Sequence, residues 1–204
     1  MKLIGMLDSP YVRRVAVSLK MLGIAFEHSS LSVFSDYEKI KSINPVVKAP
    51  TLITDDHVVL MESSLILEYI EQVAGSARTL MPTDLKTFAK NQRATGVALA
   101  VCEKSVQVIY EQNLRPAEKQ HQPWLDRVYA QLREALNLLE QDAKNANPWL
   151  FGAKPVQADI TSAVAFYFAC QKLSAHINAK DYPALSHFSA HAEATEAFQA
   201  YPCP

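Results

Sequence analysis

The sequence predicts an α+β domain followed by an all-α domain. The apolar run 3–7 and a second strand-like segment at residues 24–28 flank a segment with apolar residues at helical spacing, which predicts a β-α-β unit with parallel strands. Two further apolar segments separated by the turn residues 55–57 predict a β-hairpin. Beyond about residue 80 the patterns are helical. These observations together predict a mixed four-stranded sheet with helices and then a helical bundle.

The helices predicted in the first half carry signals at their ends. The first begins with Ser9 as the N-cap and Pro10 at the first helical position, and Gly23 follows its last turn. The second is predicted over residues 36–43, where an aspartate can cap it. The third is predicted over residues 65–74, with a serine hydroxyl at its start and a glycine after its end.

Prolines and periodicity place the remaining elements. Pro50 has no amide hydrogen to donate, so the third strand begins at or just after it, and the fourth covers residues 58–61. A proline-containing stretch near residues 76–84 separates the two halves. The second half contains three long helices, the last of them almost entirely apolar and therefore central in its domain: residues 86–112, 124–144 and 157–173.

Composition excludes several classes of function. The chain has 204 residues and a net charge of −1, and it has no basic stripe, which argues against nucleic-acid binding. Its longest apolar stretch is about half a membrane span, and Asp8 interrupts the first apolar run, so we expect neither a membrane protein nor a signal peptide. Three widely separated cysteines, and His187 with His191 but no third ligand, predict no metal site. We expect a cytoplasmic protein.

The stretch around Ser9 has two interpretations. In the simpler one, the hydroxyl only caps the helix, as serines commonly do. In the other, the hydroxyl and the helix-start N–H groups form an anion site, and Arg13 and Arg14 add positive charge for an anion arriving from outside. Residues 9–12, Ser-Pro-Tyr-Val, have the shape of the Cys-Pro-Tyr-Cys turn of glutaredoxins without its cysteines. The turn therefore cannot exchange a dithiol, but it can hold the thiolate of another molecule.

Three motifs occur in order along the chain: Ser9 to Arg13, Asn44-Pro45 leading into residues 48–52 (Lys-Ala-Pro-Thr-Leu), and Glu62-Ser63. In this order and at these spacings, the chain resembles the glutathione S-transferase superfamily over essentially its whole length. Its Ser-Pro-aromatic turn is most similar to that of the serine-type bacterial and plant members.

The resemblance implies an organisation into two domains. The implied parts are a thioredoxin-like glutathione-binding domain, a linker and an all-helical domain: residues 1–76, 77–85 and 86–204. It also implies glutathione as co-substrate and the family's usual homodimer, in which the helices predicted at 65–74 and 86–112 pair across a two-fold axis.

The resemblance also assigns roles to the first two motifs. Ser9 would hydrogen-bond the glutathione sulfur and favour its thiolate, which makes it the catalytic residue. The Ala49-Pro50 pair matches the family's cis-proline turn. In that turn the N–H and C=O of Ala49 would pair with the cysteinyl backbone of glutathione as a short strand.

The third motif matches the pair that holds the γ-glutamyl end of glutathione. The Glu62 carboxylate would meet the ligand's ammonium group, and the Ser63 hydroxyl with helix-start N–H groups would meet its carboxylate. The alternative is that Ser63 only caps the helix and Glu62 is a solvated charge. Lys48, ahead of Lys39 and Lys41, is the candidate for the glycine carboxylate of glutathione.

The implied activity is a detoxifying glutathione transfer to a hydrophobic electrophilic small molecule. Tyr110 and Phe166 are candidates for lining the electrophile pocket, although aromatics at helical spacing more often belong to a core. Two alternatives stay open. One is another glutathione-dependent reaction on the same fold, such as isomerisation, peroxide reduction or dehalogenation. The other is a non-catalytic interaction module of the stringent-starvation type, which would have no need of an intact glutathione site.

One departure from the family concerns the long apolar helix. Many members begin it with a Ser/Thr-x-x-Asp capping box, whereas this chain has Val156 and Asp159 and so lacks the capping hydroxyl. We expect that helix start to be weaker by roughly 0.5–2 kcal/mol unless another group caps it.

Overall fold

In a computed structural model that describes residues 1–204, the predicted strands form one mixed four-stranded sheet. The strands are β1 (Lys2–Ile4), β2 (Glu27–Ser29), β3 (Thr51–Ile53) and β4 (Val59–Met61). β1 pairs with β2 in parallel and with β3 in antiparallel orientation, and β3 pairs with β4 in antiparallel orientation. The spatial order is therefore β2-β1-β3-β4, which confirms the predicted change from parallel to antiparallel pairing.

Three helices accompany this sheet: α1 (Pro10–Met21), α2 (Tyr37–Ile43) and α3 (Ser63–Ala74). α1 has Ser9 as its N-cap and Gly23 in a left-handed conformation after its end, as the sequence predicts. α1 packs against α3, and its apolar side chains are buried together with those of β1 and β3. Leu3, Leu19 and Leu52 are fully buried in this core.

The start of α3 differs from the prediction. The helix begins at Ser63, two residues earlier than expected, and its N-cap is Glu62 rather than a serine. The Glu62 carboxylate accepts hydrogen bonds from the amides of Ser64 (3.1 Å) and Leu65 (3.2 Å). A carboxylate satisfies the exposed amides of a helix start as a hydroxyl does, and its charge also complements the helix dipole.

The chain forms two compact units, one comprising Met1–Leu80 with Thr195–Pro204 and the other Met81–Ala194. The last ten residues thus differ from the prediction, which places them in the helical domain. They contain α8 (Glu196–Ala200), which packs against α1. Lys20 and Glu196 form a salt bridge of 2.8 Å, and the Arg13 Nε donates to the carbonyl of Tyr201 at 2.9 Å.

The second unit is entirely helical. Its helices are α4 (Leu85–Leu114), α5 (Gln122–Ala143), α6 (Gln157–Lys172) and α7 (Pro183–Glu193). α6 lies at the centre and packs against α4 and α7, and nearly all of its residues are buried, as its apolar sequence predicts. None of the helices is both long and apolar enough to cross a membrane.

A side chain from another helix caps α6. Val156 at the N-cap has no side-chain acceptor, but the Asn91 Oδ1 of α4 accepts from the amide of Ala158 at 3.0 Å. Asp159 accepts from the amides of Leu150 (2.8 Å) and Val156 (2.7 Å), and burial raises the pKa of its carboxyl to about 6. The expected weakness at this helix start is therefore offset by a residue that no local pattern indicates.

Candidate active site

Ser9 lies at the turn between β1 and α1 and is half-buried. Its Oγ accepts from the amide of Val12 at 3.5 Å, a long contact, while its carbonyl accepts from the amide of Arg13 at 2.9 Å. The hydroxyl hydrogen has no acceptor within the protein. It can therefore be donated to an anion at the positive end of α1.

Gly5 brings this turn close to the Ala49-Pro50 turn. Its φ is +136°, and an added Cβ would lie 2.6 Å from the Cγ2 of Val12 and 3.1 Å from the Cβ of Ala49. Only glycine tolerates both the conformation and the approach. From the sequence, Gly5 is predicted only as part of a strand, and the one signal of its role is that it is a lone glycine inside an apolar run.

The peptide bond between Ala49 and Pro50 is cis, and the backbone N–H and C=O of Ala49 make no hydrogen bond within the protein. A buried network holds this turn. The Asn44 amide donates to the Thr51 hydroxyl at 2.8 Å, and that hydroxyl donates to the carbonyl of Lys48 at 2.6 Å. The turn thus presents one unpaired donor and one unpaired acceptor in a fixed geometry, as an edge strand does.

Glu62 and Ser63 stand at the start of α3 in different environments. Glu62 has φ of 74°, an unusual value for a non-glycine residue, and its carboxylate caps the helix. Ser63 is 1% exposed, and its Oγ accepts from the Arg14 Nη1 at 3.0 Å. Glu62, and not Ser63 as the alternative interpretation has it, therefore caps the helix. The hydroxyl hydrogen of Ser63 has only a 3.5 Å contact with Glu62 Oε1.

The two arginines of α1 differ from the expectation. Both are almost completely buried, so neither lies open to an anion from outside. Arg13 binds the C-terminal segment through the carbonyl of Tyr201 and lies 5.4 Å from the centre of the Phe198 ring. Arg14 binds the hydroxyls of Ser63 (3.0 Å) and Ser64 (3.3 Å).

The three candidate lysines are all exposed. Lys48 precedes the Ala49-Pro50 turn and makes no ion pair in the structure. Lys39 and Lys41 lie on α2, where the Lys41 Nζ is 5.7 Å from the centre of the Tyr37 ring. The position of Lys48 next to the turn keeps it first among the candidates.

The two aromatic candidates of the second unit are placed differently. Tyr110 on α4 is 46% exposed, whereas Phe166 on α6 is 4% exposed. The Phe166 ring packs edge-on against that of Tyr182, with centroids 6.2 Å apart. Phe166 is therefore a core residue of its own unit, which is the alternative that the sequence left open, and Tyr110 is the accessible one.

Two of the three cysteines, Cys102 and Cys170, have thiols that burial makes unreactive. Cys102 is fully buried, and burial raises the pKa of Cys170 to about 11, so this thiol is protonated at neutral pH. His, Cys, Asp and Glu side chains form no group of three or more that could hold a metal ion.

Comparison with known proteins gives consistent matches. Residues 3–78 match the family "Glutathione S-transferase, N-terminal domain". An uncharacterized GST-like protein of Escherichia coli, YibF, is 29% identical over 140 residues, which cover 69% of this chain and 68% of that protein. Glutathione S-transferase U4 of Arabidopsis thaliana is 35% identical, but the match covers only 35% of this chain and 32% of that protein.

Solved structures match over the full length. A glutathione transferase family member from Pseudomonas fluorescens with bound glutathione superposes with a TM-score of 0.83 at 27% identity, covering 100% of this chain and 98% of the other. A glutathione S-transferase from Methylobacterium radiotolerans in complex with glutathione sulfonate has a TM-score of 0.90 at 22% identity, covering 98% and 93%. The second likeness concerns the fold alone.

Proposed function

Since the chain belongs to the glutathione S-transferase superfamily, with a thioredoxin-like first unit and a helical second unit, we propose that it is a glutathione transferase. Its co-substrate is glutathione, and its second substrate is a hydrophobic small molecule with an electrophilic carbon. The proposal rests mainly on one observation. The Ser9 hydroxyl with its hydrogen free to donate, the unpaired backbone of Ala49 and the Glu62-Ser63 pair all belong to the first unit, where Gly5 brings the first two close together.

Ser9 acts on the sulfur of glutathione. A free thiol has a pKa of about 8.5, so only a few per cent is thiolate at neutral pH. Donation from the Ser9 hydroxyl and the N-terminus of α1 favours the charged form, and each pKa unit gained corresponds to about 1.4 kcal/mol. The thiol proton leaves to solvent, and the sulfur lone pair forms the bond to the electrophilic carbon. The leaving group departs with its electron pair, or in an addition the neighbouring atom takes up a proton.

The other residues orient the tripeptide. The N–H and C=O of Ala49 pair with the cysteinyl backbone, and Lys48 binds the glycine carboxylate. Glu62 accepts from the γ-glutamyl ammonium through Oε1, since its Oε2 is occupied by the amides of Ser64 and Leu65. Ser63 binds the γ-glutamyl carboxylate. Fixing both ends of glutathione holds the sulfur at Ser9, and this orientation is the protein's main contribution to the rate.

Titration calorimetry with glutathione tests this assignment. The wild-type protein should bind glutathione, and Ser63→Ala should raise the Kd by about tenfold or more, because a charge-assisted hydrogen bond to the carboxylate is lost. Ser76→Ala, an exposed serine of the same unit, is the matched control and should leave the Kd unchanged.

Failure of the wild-type protein to bind glutathione would reject the proposal and favour an interaction module on this fold. Equal affinity in Ser63→Ala would reject the assigned site. Binding without conjugation of any electrophile would favour another glutathione-dependent reaction.

A further inference from the structure

His28 lies on β2, an edge strand of the sheet, and its half-buried ring reaches the end of β1. In the register of the two strands, His28 is the partner of Leu3. The ring extends further along β1, so that Nε2 lies 2.8 Å from the carbonyl oxygen of Gly5. A side chain of β2 thus holds the residue that follows β1 and begins the loop to Ser9.

The hydrogen of this bond is assigned to the Nε2 of His28, because a carbonyl oxygen only accepts hydrogen bonds. The ring keeps this hydrogen in the neutral tautomer that has it on Nε2 and also in the cation, since protonation then adds a hydrogen at Nδ1. The bond to Gly5 is therefore compatible with both charge states of the ring.

Gly5 depends on such a bond because glycine restricts its own conformation so little. Without a Cβ, the residue populates positive and negative φ about equally well. In the structure both polar groups of Gly5 are bonded to β2: its amide donates to the Ser29 carbonyl at 3.0 Å, and its carbonyl accepts from His28. Because a peptide unit is planar, the bond from His28 also fixes the direction of the Met6 amide.

The loop from Gly5 to Ser9 is short, consisting of residues 6–8. Within it, the amide of Ser9 donates to the carbonyl of Met6 at 3.2 Å. A rotation of the peptide between Gly5 and Met6 would therefore change the position of Ser9.

The Ala49 turn is held independently of His28. Its support is the buried network in which the Asn44 amide donates to the Thr51 hydroxyl at 2.8 Å. Loss of the His28 bond would thus move the Ser9 hydroxyl, whereas the backbone that pairs with the cysteinyl residue of glutathione would stay in place.

We infer that His28 is a positioning residue for Ser9: its Nε2 hydrogen holds the Gly5 carbonyl and so keeps the Ser9 hydroxyl within hydrogen-bond distance of the glutathione sulfur. His28 acts through Gly5 and is not itself a ligand of the sulfur. This inference rests on the proposed function, because it takes Ser9 as the donor to that sulfur.

The test measures the pKa of the thiol of bound glutathione by ultraviolet absorbance in full-length variants. In His28→Met, which removes the donor, the bound thiol should titrate at least about half a unit higher than in the wild type, with up to about threefold less thiolate at neutral pH. Calorimetry at a pH that keeps the thiol protonated should give a Kd within about twofold of the wild-type value, since the contacts of Ala49, Glu62 and Ser63 are unaffected.

Two further variants separate the hydrogen bond from the loss of a ring. In His28→Gln, an amide N–H can take the place of Nε2, so the thiol pKa should return towards the wild-type value. His57→Asn removes an exposed imidazole from the hairpin between β3 and β4 and should titrate like the wild type. Asparagine tolerates the φ of 61° at this position.

A purely structural role for His28 would destabilise His28→Met and leave the thiol pKa of the folded complex unchanged, and that result would overturn the inference. A His28→Gln protein that titrates like His28→Met would also overturn it. His28→Asn covers the case in which His28→Met does not fold. Its amide is too short to reach Gly5, so the thiol should again titrate at least about half a unit above the wild type.

The same data separate this inference from the proposed function. If the wild-type protein did not bind glutathione, or left its thiol at the free pKa, the proposed function would fail and the inference with it. A thiol pKa lowered equally in the wild type and in His28→Met would contradict the inference alone.

Discussion

Gly5 lies so close to Val12 of α1 and to Ala49 that no side chain could be accommodated at its position. The φ of +136° and the 2.6 Å that would separate an added Cβ from Val12 leave no room for alanine. The carbonyl oxygen of Gly5 accepts a hydrogen bond from the Nε2 of His28 at 2.8 Å, and the amide of Gly5 donates to the carbonyl of Ser29 at 3.0 Å. We conclude that this glycine fixes how the Ser9 turn and the Ala49 turn face each other.

Gly5→Ala should therefore destabilise the protein by about 1–3 kcal/mol, because strain at a positive φ and overpacking against Val12 add together. Gly96→Ala is the matched control. Gly96 lies within α4 with open space around its Cα, and alanine there should stabilise by about 0.5–1 kcal/mol. Urea titrations give the free energy of unfolding of both variants, for comparison with the wild type. Gly5→Ala that is as stable as wild type would refute the close-approach argument.

Roles that depend on neighbours in sequence could be predicted at single residues, whereas roles that depend on distant contacts could not. The roles of Ser9 as an N-cap and of Gly23 as a helix stop depend on neighbours in sequence, and the structure confirms both predictions. The partners of Arg13 and Arg14 lie 188 and 49 residues away in the chain. No local pattern indicates such partners, so the burial of both arginines could not be predicted from the sequence.

At the scale of elements, α6 shows how a helix can be capped from outside its own sequence. Asn91 is fully buried in α4, and its Oδ1 accepts from the amide of Ala158 at 3.0 Å. This is the bond that a serine or threonine at the position of Val156 would make. The sequence shows the missing hydroxyl, but it cannot show the substitute, since Asn91 lies 67 positions before Ala158 in the chain.

Asn91→Ala should lower the free energy of unfolding by about 1–3 kcal/mol, because the amide of Ala158 would be buried without a partner. Asn113→Ala, at an exposed position near the end of the same helix, is the control and should change stability by less than about 0.5 kcal/mol. Thermal and urea unfolding would measure the difference between the two variants. An Asn91→Ala protein that matches the control would show that water or another group caps α6.

At the scale of the whole molecule, the order of elements could be predicted well and the course of the C-terminus could not. Hydrophobic periodicity and turn residues predict the elements of both units, because these signals are properties of contiguous segments. Residues 195–204 belong to the first unit and contact α1 through the Lys20–Glu196 pair and Arg13, and these contacts join distant parts of the chain.

The family's homodimer remains a proposal for this chain. Exposed apolar side chains occur on β4 and α3, among them Met61 (39%) and Leu65 (59%), and α3 is one of the two helices expected to pair. Exposed apolar residues on neighbouring elements are compatible with an interface between copies of the chain.

The central claim is that the Ser9 hydroxyl stabilises the thiolate of bound glutathione. The most direct measurement is the pH titration of the bound thiol, followed by the ultraviolet absorbance of the thiolate in complexes of the wild type and Ser9→Ala. We predict that the thiol titrates at least about one unit below its free pKa of about 8.5 in the wild type and returns towards that value in Ser9→Ala. Identical titrations in the two proteins would contradict the claim.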